Sequence, residues 1–201
     1  MNKEEFSSSE MTGLLYKSHD QSSYRIVYLH GSGEFGNGIE GLFKYPGLPS
    51  LLEKGLELEF DVIIPCGPKE GQWTVDWLDR FLCSVESGFR QNTYKYHMVG
   101  YSRGCGGVYK YSMKNPEKVA SIVCLAGKSA SDSVEHLLTI PVLLIHGIND
   151  DNIPVTESRL MHQWLIKAGA TVKFIEESGN HYIAEQVFSR KDMFNWQKRM
   201  T

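Results

Sequence analysis

Positive charge is not in surplus in this chain: 21 Lys and Arg stand against 24 Asp and Glu, a net charge of −3. No basic stripe is available to follow a phosphate backbone, so nucleic acid is not an expected partner. No apolar run approaches the ~18 residues that a membrane helix needs. The first ten residues are polar and lack the apolar centre of a signal peptide. Cysteine is sparse. Cys66, Cys83, Cys105 and Cys124 lie far apart, with no C-x-x-C pair. They read as reduced, mostly buried thiols of a cytoplasmic protein, not as a metal centre. Repeats, low-complexity tracts and charge blocks are also missing.

What is present is the composition of a water-soluble globular chain. Hydrophobic residues make up 41% and charged residues 22% of the 201 positions. That length suits one domain with a sizeable core. Residues 1–10 are expected to be frayed. Short apolar runs at residues 12–17, 24–29, 61–64, 95–99, 119–125, 142–145 and 172–175 read as strands. Several are continuous, as in strands buried on both faces. Between them, residues 48–54, 75–87, 103–114 and 156–168 carry helical spacing. Residues 183–200 hold one or two closing helices. Strands alternating with helices predict an α/β chain: a mostly parallel sheet of about seven strands between two helix layers. In such sheets the ligand sits at the carboxyl ends of the strands.

Four sequence features fall at those ends. Gly100-Tyr101-Ser102-Arg103-Gly104 is a G-x-S-x-G pentapeptide between a predicted strand and a predicted helix. That context forces the serine into a tight turn with its oxygen exposed, and Gly100 and Gly104 make room for the turn. A serine hydroxyl needs a base to become a nucleophile. His181, in Gly179-Asn180-His181 after the last strand, is the candidate base. The base needs an acid to orient it. Asp150 and Asp151 are adjacent, and spacing does not separate them. Asp132 and Asp76 are weaker choices. Two amide donors must face the developing oxyanion. Arg103 N–H is one, and the turn His30-Gly31-Ser32-Gly33 supplies the other through Ser32 N–H. His30 and His146 read as ligands of loop backbone, and His97 as a satisfied core histidine. His19, His136 and His162 read as surface residues.

Together these residues resemble the α/β-hydrolase fold, and within it the compact esterases: dienelactone-hydrolase-like and carboxylesterase/phospholipase-like proteins and the small "predicted peptidase" esterases. The resemblance runs from about Ile26 to Trp196. His30-Gly31-Ser32-Gly33-Glu34-Phe35-Gly36 matches an HGxGExG turn, and the segment from His146 to Pro154 matches HGxxDxxVP. The second match carries the acid role to Asp150. Two departures stand out. Arg103-Gly104-Cys105 replaces the more usual neutral residue and two glycines, and Phe35 stands where arginine is common. If the Arg103 side chain faces the cleft, it favours an anionic substrate; otherwise it is solvated or paired with an acid such as Glu34.

The resemblance implies a serine esterase with no cofactor and no large lid, acting on a small or exposed acyl group. Phe35, Trp73, Tyr101 and Tyr182 are the expected substrate walls. The same triad could serve thioesters or carbohydrate esters, and an idle hydrolase fold could serve as a binding module. The partner is expected to be a small-molecule ester, with no membrane and no nucleic acid.

Overall fold

Residues 26–29 are buried along their whole length, yet their side chains divide between two separate clusters. Val27 and Leu29 pack with Trp77, Phe81 and Leu82. Ile26 and Tyr28 pack with Leu48, Val187 and Phe188. The alternation repeats along the next strands: Ile122, Cys124, Val142 and Leu144 face the first cluster, while Val123, Leu125, Leu143 and Ile145 face the second. Side chains of a strand alternate in direction, so an uninterrupted apolar run is what a sheet covered on both faces requires.

The computed structural model describes residues 1–20, 22–89, 95–130 and 134–201, so Asp132 lies outside the described residues. One eight-stranded sheet is formed by β1 (Asn2–Ser7), β2 (Thr12–Lys17), β3 (Tyr24–Leu29), β4 (Asp61–Pro65), β5 (Lys95–Tyr101), β6 (Val119–Leu125), β7 (Val142–Gly147) and β8 (Val172–Glu177). Their order is β1-β2-β4-β3-β5-β6-β7-β8. The β1–β2 and β2–β4 pairings are antiparallel, and β3 through β8 run parallel. One helix layer holds α3 (Val75–Glu86), α4 (Arg103–Lys114) and α5 (Thr156–Ala168). The other holds α2 (Leu48–Glu53), α6 (Ala184–Ser189) and α7 (Asp192–Lys198), with the single turn α1 (Gly38–Gly41) before them.

Local chemistry explains the helix ends. The Thr74 hydroxyl accepts a hydrogen bond from Trp77 N–H at 3.3 Å and caps α3. The stripe Trp77, Leu78, Phe81, Leu82 and Val85 then buries that helix against the sheet. Gly169, at φ 84°, closes α5 in a left-handed conformation.

Residues 1–10 are not frayed as expected. Asn2 to Ser7 pair with Lys17 to Thr12 in register, which gives the sheet its eighth strand. The strand is mostly exposed, so its stability comes from the backbone ladder, from Phe6 set edge-on to Phe81 at 5.6 Å, and from ion pairs such as Lys17–Glu4 at 2.7 Å. A strand held this way carries little apolar signal in its sequence.

His97 lies in β5 with no exposure. Its Nδ1 meets Ser121 Oγ at 2.8 Å, while Nε2 finds no partner among the described residues. The expectation of a fully satisfied core histidine is therefore only half met. Burial lowers its pKa from the ordinary 6.5 to about 4. The unfolded chain then binds a proton that the folded chain refuses, between pH 6.5 and about 4. The stability from neutral His97 is present above 6.5 and is lost as pH falls through about 4. A lowering of this size corresponds to roughly 3 kcal/mol. Urea unfolding across that window is expected to show a shallower loss for His97→Gln than for wild type. Equal pH dependence of the two proteins would refute the assignment.

Candidate active site

Ser102 directly follows β5 and forms the N-cap of α4, with φ 53° and ψ −119°. A non-glycine residue there is strained by about 1–3 kcal/mol and persists only where its surroundings enforce it. The enforcement is visible. Ser102 N–H donates to Leu125 O at 2.8 Å, and Ser102 O accepts from Cys105 N–H at 3.1 Å. A Cβ at Gly104 would stand 1.9 Å from Leu29 O, and one at Gly100 would stand 2.6 Å from Cys105 N. The two glycines let α4 lie against β3 and β5, as the pentapeptide requires.

Ser102 Oγ lies 3.0 Å from His181 Nε2, and His181 Nδ1 lies 2.7 Å from Asp150 Oδ2. The chain of hydrogen bonds links residues 79 and 31 positions apart in sequence. All three side chains are buried or nearly so: Ser102 is 8%, Asp150 8% and His181 6% exposed. Asp151, the other acid that spacing left open, is exposed and holds no such position.

The Asp150 carboxylate is saturated by donors. Oδ1 accepts from Asn152 N–H at 2.9 Å and Ile153 N–H at 2.8 Å. Oδ2 faces His181 and also His146 Nε2, at 3.1 Å. His146 Nε2 additionally meets Ile153 O at 2.8 Å, so that nitrogen carries the proton and donates. Nδ1 of His146 then faces Ser158 Oγ at 2.7 Å. The sequence reading placed His146 on loop backbone, which Ile153 O bears out; its bond to Asp150 was missed. The spacing His146 to Asp150, four residues across a strand-end turn, was the available signal.

Beneath the Gly-rich turn, His30 Nδ1 and Nε2 reach Gly31 O at 2.8 Å and Cys66 O at 2.9 Å, the backbone role expected of it. Burial lowers its pKa. Glu34 is 5% exposed. Burial pushes its carboxyl up, against a partial offset from the backbone N–H groups of Glu34, Gly31 and Gly33 and from Lys44.

Three of the four expected substrate walls have other work. Trp73 is 2% exposed, and its Nε1–H donates to His30 O at 3.1 Å. Phe35 is half-buried against His30 and Trp73, with ring centroids at 4.6 and 5.0 Å. Both brace the turn from below. Tyr101 is 5% exposed and donates its O–H to His181 O at 3.1 Å, so it anchors the histidine loop. Tyr182 alone is open, 57% exposed, edge-on to His181 at 5.7 Å and stacked near Tyr45 at 6.0 Å. Aromatic residues near a motif were read as walls, but their large apolar area is satisfied by burial.

The cleft over Ser102 and His181 has a volume of about 430 Å³. Ser32, Arg103, Lys128, Ser129, Asn152 and Ile153 line it further, and Phe35, Trp73, Tyr101 and Tyr182 do not. Ser32 and Arg103 thus stand beside Ser102 as expected. Lys128, Ser129, Asn152 and Ile153 were not singled out in the sequence, although each lies just past the carboxyl end of a strand. Among the described residues, no group of His, Cys, Asp and Glu is arranged to hold a metal ion. No helix among them is long and apolar enough to cross a membrane.

No protein-family model matches the sequence, and no curated protein matches it. Solved structures do match. A thermostable esterase superposes with a TM-score of 0.74 at 18% identity, over 98% of this chain and 62% of that one. This chain therefore spans less than two thirds of that esterase's length. The deep-sea metagenomic α/β hydrolase MGS-M1 gives 0.69 at 15% identity, over 100% and 98%. The chain has the α/β-hydrolase fold. A third similar structure, acyl-protein thioesterase 2 of Zea mays, gives 0.65 at 17% identity, over 92% and 97%. At such identities the likeness concerns the fold, and the hydrolase architecture accounts for the strand order and the placement of Ser102 at the end of β5.

Gly104→Ala is expected to destabilise the protein by about 3 kcal/mol or more, because its methyl group must displace β3 backbone. Urea unfolding measures this. A midpoint close to wild type would show that the elbow does not depend on that close approach.

Proposed function

We propose that the protein is a serine hydrolase of carboxylic esters, and that Ser102, His181 and Asp150 form its catalytic triad. The observation that carries the reading is the pair of contacts at 3.0 and 2.7 Å, made by a serine whose backbone is held at φ 53°. The esterase and hydrolase neighbours support it at the level of fold. His181 takes the Ser102 proton as Oγ attacks the acyl carbon. Ser32 and Arg103 N–H groups bind the oxyanion. Arg103 is the first residue of α4, where main-chain N–H groups lack helical partners. The tetrahedral adduct collapses, the C–O bond to the alcohol breaks, and His181 returns the proton to the leaving oxygen. Water, deprotonated by His181, then attacks the acyl-enzyme and restores Ser102. Asp150 stabilises the imidazolium at each stage, and its saturated oxygens keep it fixed.

The reaction as written uses no cofactor, and its substrate is a small-molecule ester. The cleft is near the lower end of the range for small-ligand sites, about 300–1,000 Å³. That fits a small acyl group or an ester at the end of a larger molecule. Four free cysteines favour a cytoplasmic setting. A thioester is the second reading. The same chemistry serves it, and a structural neighbour bears the name acyl-protein thioesterase.

Ser102→Ala is expected to lower kcat/KM for short para-nitrophenyl esters by about 10⁴-fold or more while melting as cooperatively as wild type. Undiminished turnover would sink the reading. His146→Leu removes the second imidazole donor to Asp150 Oδ2. It is expected to lower kcat by about 10- to 100-fold with KM nearly unchanged. His146→Gln keeps an N–H on that side and should recover part of the loss. Equal kcat in all three proteins would show that His146 does not position Asp150.

A further inference from the structure

Among the described residues, two cations line the cleft and no carboxylate does. Arg103 and Lys128 stand with Ser102 and His181 around the same 430 Å³ space. Neither has a carboxylate oxygen within 4.0 Å among the described residues. Two described acids near this end of the sheet are otherwise engaged. Glu157 Oε2 accepts from Ser129 N–H at 3.0 Å and Ser129 O–H at 2.7 Å. That hydrogen bonding is the main reason its pKa is lowered, with the Lys128 charge a smaller contribution. Glu34, the other acid near the turn, is buried and pushed toward its neutral form, and the cation it feels is Lys44.

The fold fixes the Arg103 guanidinium and the backbone that carries Lys128. Arg103 Nη1–H donates to Gly71 O at 2.9 Å, which fixes one nitrogen of the guanidinium and leaves the others for a ligand. Lys128 follows a second strained residue. Ala126, at the end of β6, has φ 49° and donates its N–H to Ile145 O at 2.9 Å. The next residue, Gly127, lies so close to α4 that a Cβ there would stand 2.4 Å from Cys105 Sγ. The turn that brings Lys128 to the cleft is therefore packed on the helix that begins at Arg103. The protein as a whole carries −3, so a positive cleft runs against its overall charge. Such a local field raises the concentration of an anionic ligand at the site.

We propose that Arg103 and Lys128 form an anion subsite beside Ser102, and that the substrate is an ester bearing a carboxylate in the same small molecule. Arg103 offers the planar fork that recognises a carboxylate, and Lys128 adds a second charge. This rests on the esterase reading above and adds the substrate class to it.

The test compares matched esters. Mono-para-nitrophenyl adipate is set against para-nitrophenyl hexanoate, with the charge on the acyl side. Acetoxyacetate is set against its methyl ester, with the charge on the alcohol side. Wild-type protein is expected to favour the charged member of at least one pair by about tenfold or more in kcat/KM. The advantage should fall as salt is raised. In the double variant Arg103→Gln/Lys128→Gln the charged-to-neutral ratio should collapse toward one. A wild-type preference for the neutral member of both pairs, or no preference, overturns the proposal. If no ester is turned over, the esterase reading fails separately, and calorimetry decides the subsite. Binding of the adipate dianion but not adipamide, lost in the double variant, supports it; no adipate binding overturns it.

Discussion

The backbone of Ser102 is the constraint from which the rest of the site follows. At φ 53° and ψ −119° it aims a hydroxyl off the end of β5 instead of along the strand or into α4. The conformation is costly in isolation, and β5 can impose it because parallel neighbours, β3 and β6, clamp the strand on both sides. The bond from Ser102 N–H to Leu125 O ties the residue to β6, and the approach of Gly104 to Leu29 O ties α4 to β3. Strain at one residue is thus maintained by a sheet whose centre is fully buried.

A second level of order lies in how the strand-end loops are braced. The carboxylate of Asp150 has four donors: two main-chain N–H groups and two imidazoles. A buried anion supported in this way does not need a cation, and its direction is set before any substrate arrives. Tyr101 holds the loop of His181 through the carbonyl of that residue, while Trp73 and Phe35 underpin the turn that carries Ser32. The aromatic residues of this region are props. Among the described residues, the surface left for a substrate is small and carries two cations, made by Ser32, Arg103, Lys128, Ser129 and Asn152 with Ile153.

The centre of the fold was legible in the sequence because double-sided burial writes itself as continuous apolar runs, and β6 and β7 are found where those runs lie. Ser102 and His181 were legible for a different reason, while Asp150 was separated from its neighbour Asp151 only by the HGxxDxxVP resemblance. Each occupies a turn with a glycine-bearing neighbourhood just past a strand, and the structure brings all three together. Legibility failed where backbone pairing or long-range packing decides. The strand Asn2–Ser7 has little apolar content and exists because the edge of β2 accepts it. Trp73 and Tyr101 look like ligand contacts until their burial of 2% and 5% residual exposure is known. For His146 the sole sign is its four-residue spacing from Asp150, which brings the ring to the carboxylate only through the turn between them. Lys128 enters the cleft only because Ala126 turns the chain with a positive φ, which no alanine advertises.

The central claim is that Ser102 and His181 work as a nucleophile and its base. The most direct measurement is labelling with a fluorophosphonate probe, with the modified peptide mapped by mass spectrometry in wild-type and His181→Ala proteins. The account predicts a rapid adduct on Ser102 that disappears when His181 is removed. A folded wild-type protein that forms no adduct, or an adduct whose rate is indifferent to His181, would contradict it.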